Sequence, residues 1–183
     1  MTIALAARVL VLGGQRSGKS RYAENLVAAS GRRPVYVATA TAGDGEMGER
    51  IARHRARRGE SWTTVEEPLD LPTVLCRQAE EGAAVLVECL TLWLANLMAA
   101  DRSIDGETER LLGSLAEARG PVVIVSNEVG SGIVPDNALA RRYADALGTL
   151  NQRVAEAADR VVLVAAGLPL VLKPAQKHNE GAL

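Results

Sequence analysis

The chain has 183 residues, 48% hydrophobic and 23% charged, which is enough for a packed core and excludes wholesale disorder. Its 21 basic and 22 acidic side chains leave a formal charge of −1, without the basic excess of a dedicated nucleic-acid binder. The two cysteines, Cys76 and Cys89, make no CxxC pair and no disulfide framework; they read as small buried hydrophobes in a reducing cytoplasm.

In chain order, apolar β-branched runs alternate with longer segments of helical period. The strand-like runs are 8–12, 35–39, 85–87, 122–125 and 161–164, each continuous enough to be buried on both faces. Residues 170–172 add a short last strand, expected antiparallel at an edge. Helices are expected over 19–29, 46–58, 69–80, 92–99, 107–119 and 139–158. This alternation predicts an α/β fold, a mostly parallel sheet flanked by helices, in one domain over 1–173 with a polar tail over 174–183. The longest uncharged apolar run, Cys89 to Ala100, is well short of the roughly 20 residues that span a bilayer. The apolar start lacks a basic n-region and runs straight into a glycine loop, so it reads as a first strand and not as a signal peptide.

Ligands in such sheets bind beyond the carboxyl ends of the strands. There the sequence Gly13-Gly14-Gln15-Arg16-Ser17-Gly18-Lys19-Ser20 fits G-x-x-x-x-G-K-[ST]. Backbone amides freed by Gly13 and Gly18 would converge on phosphate oxygens at a helix N-terminus. Lys19 would reach the β and γ phosphates, and Ser20 would ligate Mg²⁺. Only Lys19, Lys173 and Lys177 stand beside eighteen arginines, so a lysine in this loop fits a specific role. The competing reading is a plain glycine-rich turn.

Glu88 ends the third strand-like run, where a carboxylate can hold Mg²⁺ or its water. Glu128 follows the fourth in the same topological position. Either could instead be a helix N-terminal acid complementing the dipole. The segment 50–58 sets Arg50, Arg53, Arg55, Arg57 and Arg58 around His54, with no acid between Glu49 and Glu60. It reads as a solvated helix in which Glu46 and Glu49 pair with Arg50 and Arg53, or as a polyphosphate clamp around a nucleophilic imidazole. His178 lies in the polar tail and reads as solvated. Trp62 and Trp93 suit core packing, with stacking on a base or macrocycle as the alternative.

These residues resemble the bifunctional adenosylcobinamide kinase / adenosylcobinamide-phosphate guanylyltransferase family. The resemblance runs through the phosphate loop to Arg21, Tyr36-Val37-Ala38-Thr39, Glu46-Met47 with Arg50-Ile51-x-x-His54-Arg55, and Trp62-x-Thr64-Val65-Glu66-Glu67-Pro68. It continues through Glu88-Cys89-Leu90-Thr91-Leu92-Trp93, Asn96-Leu97, and Ser126-Asn127-Glu128-Val129-Gly130-x-Gly132-Ile133-Val134-Pro135-x-Asn137. Asn151-Gln152, Ala158-Asp159 and Gly167-x-Pro169 complete it. It implies a RecA-like nucleotide-binding domain, a cytoplasmic homotrimer, and two reactions on a corrinoid substrate. The first phosphorylates the aminopropanol hydroxyl of adenosylcobinamide from ATP or GTP. The second transfers GMP from GTP through a histidine adduct, with His54 as carrier and Lys19 as the phosphate-loop cation. It also implies that Ala38, Thr39, Ala40, Arg55, Arg58, Glu66 and Glu88 join Gly13 to Ser20 around the nucleotide, with Ser20 and Glu88 at Mg²⁺. Departures are Gln15, where Ala is common, Gly45 in place of a second acid, Gly59 in place of Pro, and the tail after Lys173. Rival readings are a kinase of another small hydroxyl metabolite and a non-catalytic nucleotide-binding module.

Overall fold

The computed structural model describes residues 6–40 and 61–174. Seven strands form one sheet in the order β3-β2-β4-β5-β1-β6-β7. They are β1 (Arg8–Gly13), β2 (Arg33–Ala38), β3 (Thr63–Glu66), β4 (Ala83–Glu88), β5 (Val122–Asn127), β6 (Arg160–Ala165) and β7 (Leu168–Lys173). All neighbouring strands run parallel except β7, which pairs antiparallel with β6 at the edge. The expected short last strand is therefore present, with the expected direction.

The apolar runs form strands because both faces are covered. Alternate residues supply two cores. Leu10, Val35, Val37, Val85, Val87, Val122 and Ile124 face one side. Val9, Val11, Tyr36, Leu86, Val123 and Val125 face the other. On the first side lie four helices: α2 (Leu71–Gln78), α3 (Leu90–Ala99), α4 (Ile104–Glu117) and α5 (Ala138–Ala157). On the second lies α1 (Lys19–Ala29), whose Ala23 and Val27 are fully buried. Small residues such as Ala23 and Ala84 let α1 sit close to the sheet.

Local chemistry sets the helix ends. Ser103 accepts a hydrogen bond from the Gly106 amide to start α4, and Asn137 accepts from the amides of Leu139 and Ala140 to start α5. Trp93 is fully buried in α3 and donates from its indole nitrogen to Leu69 O at 2.8 Å, so its role is core packing. Trp62 meets Tyr36 edge to face, with ring centroids 6.4 Å apart.

Three sequence expectations need correction or completion. Cys89 is buried as expected, but Cys76 is exposed. On α2 the core-facing positions are Leu71, Val74 and Leu75, and the next residue turns to solvent. Strand β3 was not expected, because Thr63-Thr64-Val65-Glu66 is short, polar and only half-buried at an edge. Helix α4 begins at Ile104, three residues before the expected start, because Ser103 supplies the cap. The expected helix over 46–58 and the tail with His178 lie outside the described residues.

Candidate active site

Strand order decides which side chains can meet. The loop after β1 opens α1, and α1 packs across β4 and β5. The first turn of α1 is thereby carried over strands that are not its own. Ser20 Oγ donates to Glu88 Oε1 at 2.8 Å, although 68 residues separate them and β5 lies between β1 and β4. The two residues expected to share a metal are the two that the fold joins. Both are hard oxygen donors, a hydroxyl and a carboxylate, which suits Mg²⁺ held jointly with substrate phosphates. Among the described residues no group of three His, Cys, Asp or Glu could hold a metal ion by itself.

The phosphate loop is shaped by close approach on one side and openness on the other. A Cβ on Gly13 would lie 2.5 Å from both Val164 O and Ser17 Oγ, so only glycine fits there. Gly18 takes φ 96° and precedes α1 with no side-chain cap, leaving the helix amides directed into the loop. Gly14, Gln15 and Arg16 are exposed, and Arg16 itself has a positive φ of 57°. Lys19 is nearly buried and donates from Nζ to Gly14 O at 3.1 Å, which folds its ammonium back over the loop. Opposite, the hairpin between β6 and β7 reaches the loop, with the Gly167 amide donating to Ser17 O at 2.8 Å.

The ends of β2, β4 and β5 are tied to one another by polar contacts. Thr39 is fully buried. Its hydroxyl accepts from the Cys89 amide at 2.8 Å and donates to Cys89 O at 2.7 Å. Its own amide donates to Glu88 O at 3.0 Å. Thr39 therefore braces the backbone on both sides of the Glu88–Cys89 peptide, which is cis. Ala38 stands in register with both Glu88 and Glu66, and Ala40 follows, half-buried. Glu66 is exposed at the end of β3, four strand spacings or roughly 19 Å from β1, so the structure does not bring it to the phosphate loop.

At β5, the Asn127 amide donates to Thr91 Oγ1 at 2.8 Å, and Asn127 O accepts from Asn151 Nδ2 at 3.0 Å. Tyr143 donates to Thr91 O at 2.8 Å, and burial pushes its phenol up to about 12. This bracing of the strand end had no sequence signal apart from the motif that contains Thr91, Asn127 and Asn151. Glu128 shapes the loop that leaves β5. It neither joins Ser20 nor starts a helix. Its carboxylate accepts from the amides of Gly130 at 2.7 Å and Ser131 at 3.3 Å, shaping the loop that follows. The Ser131 side chain foremost, and then these two amides, hold its carboxyl below the usual carboxylate value by hydrogen bonding. Next to Glu88, burial pushes the Cys89 thiol up to about 11, so it stays a neutral packing group. His54, Arg55 and Arg58 lie outside the described residues.

A family model described as cobinamide kinase / cobinamide phosphate guanyltransferase matches residues 9–172, which takes in every element of this site. The chain belongs to that family. It is 55% identical over 168 residues to the bifunctional adenosylcobalamin biosynthesis protein CobP of Pseudomonas aeruginosa, covering 91% of this chain and 97% of the relative. It is 39% identical over 180 residues to the protein CobU of Salmonella typhimurium, covering 90% of this chain and 99% of the relative. Among solved structures, the RadB recombinase aligns with a TM-score of 0.52 at 19% identity, over 87% of this chain and 76% of that one. A KaiC-like protein of Pyrococcus horikoshii aligns with a TM-score of 0.51 at 13% identity, over 86% and 70%. At such identities these likenesses bear on the fold alone, and they make it a RecA-like P-loop NTPase sheet. As a cobinamide kinase and guanyltransferase the protein is an enzyme of adenosylcobalamin biosynthesis. Among the described residues no helix is long and apolar enough to cross a membrane.

Proposed function

We propose that this cobinamide kinase works as a cytoplasmic homotrimer, with one triphosphate site for both of its reactions and His54 as the covalent carrier of GMP. The observation that carries the single-site reading is the 2.8 Å bond between Ser20 and Glu88 at the head of the phosphate loop. It supports reading the two side chains as a metal-holding pair beside the loop from Gly13 to Ser20, along which the β and γ phosphates of ATP or GTP would lie. Bound Mg²⁺ would neutralise charge on those phosphates. Ser20 would hold it directly, and Glu88 directly or through water.

In the kinase reaction the aminopropanol hydroxyl of adenosylcobinamide attacks the γ-phosphorus. Its oxygen gains the new P–O bond as the bond to the β-phosphate oxygen breaks, the hydroxyl proton is released, and the nucleoside diphosphate departs. Lys19 and the loop amides balance charge on the transferring group. In the second reaction the neutral imidazole of His54 attacks the α-phosphorus of GTP and pyrophosphate leaves. A phosphate oxygen of adenosylcobinamide phosphate then displaces the imidazole, giving adenosylcobinamide-GDP. Arg55 and Arg58 would attract the triphosphate and favour the uncharged imidazole by disfavouring a further positive charge. Ala38, Thr39 and Ala40 complete the wall beside Glu88, with Thr39 acting through the backbone it braces. Glu66, apart from the loop, would take no part in holding the loop-bound phosphates.

Lys19→Ala tests the shared site. Removing the charge aimed at the transferring phosphoryl group should lower both reactions on the order of 10³-fold. A variant that keeps near-native phosphorylation while losing guanylyl transfer would show that the donors bind at separate sites.

A further inference from the structure

From the loop between β5 and α5 we infer a docking platform for the corrinoid acceptor, made by Val129, Ile133 and Val134 of the loop and Leu139 in the first turn of α5. Side chains of this kind seldom lie open to water together. Ile133 is 97% exposed, Val134 74%, Leu139 65% and Val129 41%.

The loop is held firmly at both ends. Glu128 binds the amides of Gly130 and Ser131, while Asn137 binds those of Leu139 and Ala140. Arg141 donates to Pro135 O at 2.8 Å and to Asp136 O at 2.6 Å. The outward apolar surface is thus presented by a braced segment.

Its position selects the occupant. The loop leaves β5 where the Glu128 amide donates to Gly13 O at 3.2 Å, so it is continuous with the phosphate loop. In the sheet order β4-β5-β1-β6-β7, β5 lies on the Glu88 side of β1, and β6 and β7 lie on the other. The pair Ser20–Glu88 marks the β4–β5 side as the metal end of the triphosphate, and the acceptor hydroxyl must approach the γ-phosphorus there. Among the described residues, the other exposed apolar patch, Leu168, Leu170 and Leu172, is on β7 at the far edge. A corrin is a broad macrocycle with a methyl-rich rim, and it needs apolar contact outside the phosphate site together with a fixed distance to it. The platform gives both, and the inference rests on the cobinamide kinase reading.

The test is a double variant, Ile133→Ser with Val134→Ser. Both residues are exposed, so folding is left intact. The expected result is a rise of at least about tenfold in the KM for adenosylcobinamide and in its Kd by equilibrium dialysis, since two apolar contacts are lost. The KM for ATP and the acceptor-free ATP hydrolysis stay unchanged. Ile133→Leu with Val134→Ile restores acceptor binding. An unchanged acceptor Kd, with the wild type phosphorylating adenosylcobinamide, overturns the platform and leaves the kinase reading standing. A change of subunit association by sedimentation, with acceptor and ATP parameters altered together, also overturns it and assigns the patch to contact between copies. If the wild-type chain itself fails to bind or phosphorylate adenosylcobinamide, both readings fall, and no variant is needed to see it.

Discussion

Replacing Glu88 by Gln separates a metal carboxylate from a merely structural hydrogen-bond acceptor. The substitution keeps shape and volume, and the amide oxygen can still accept the Ser20 hydroxyl, now 2.8 Å from Oε1. What is lost is one negative charge at the half-buried end of β4. A unit charge pair about 4 Å apart interacts by about 4 kcal/mol at an effective dielectric of about 20. Mg²⁺ carries two charges and doubles that figure, and desolvation with retained water ligands offsets more than half of the total, leaving roughly 2–4 kcal/mol. The expected outcome is a 30- to 1000-fold loss of activity at limiting Mg²⁺, on the scale of tenfold per 1.36 kcal/mol. The assay is a Mg²⁺ titration of cobinamide phosphorylation, with nucleotide affinity measured in parallel without metal. Nucleotide affinity should change little, and excess Mg²⁺ should recover part of the rate. Superimposable Mg²⁺ curves for the two proteins would refute the reasoning and return Glu88 to a purely structural role.

Two further outcomes follow from the same geometry. Gly13→Ala forces a Cβ to within 2.5 Å of Val164 O, a backbone atom that cannot swing away, so stability should fall by about 1–3 kcal/mol. Gly14→Ala meets nothing within 4 Å, so thermal melts of the two variants should separate them clearly. Of the two thiols, exposed Cys76 should react with a disulfide reagent in the native protein. Buried Cys89, its thiol pushed up to about 11, should react only on unfolding, and two equivalents of fast-reacting thiol would contradict the packing of β4 against α1.

The sheet was legible because strands buried on both faces read as unbroken Val, Leu and Ile runs, such as Val122 to Val125. Strand β3 was not, because an edge strand is half solvated and Thr63-Thr64-Val65-Glu66 carries too little apolar signal. Cys76 was misplaced for a related reason: a cysteine suits either side of a helix, and only the packing of α2 against α4 selects one. The phosphate loop is local in sequence, so its residues could be named outright. The meeting of Ser20 and Glu88 was expected from the loop motif and the resemblance and not from hydrophobic runs, because it depends on α1 crossing two strands and strand order cannot be read from such runs. Thr39 was expected beside the nucleotide from the resemblance alone, and its bracing of Cys89, 50 residues away, had no sequence signal. Glu128 read equally as a second metal acid or as a helix N-terminal acid, because its strand-end position is the same as that of Glu88. The two loop amides that donate to its carboxylate had no signal in the sequence.

Carriage of GMP on His54 is tested most directly by one labelling experiment. The protein is incubated with Mg²⁺ and α-labelled GTP, and the chain is tested for an adduct that survives base and is lost in acid, as a phosphoramidate should be. Wild type should carry the label, and His54→Ala should carry none while keeping at least part of its cobinamide phosphorylation, because the substrate hydroxyl attacks the γ-phosphorus without help from an imidazole nucleophile. A labelled His54→Ala chain would contradict the account and place the nucleophile at another residue.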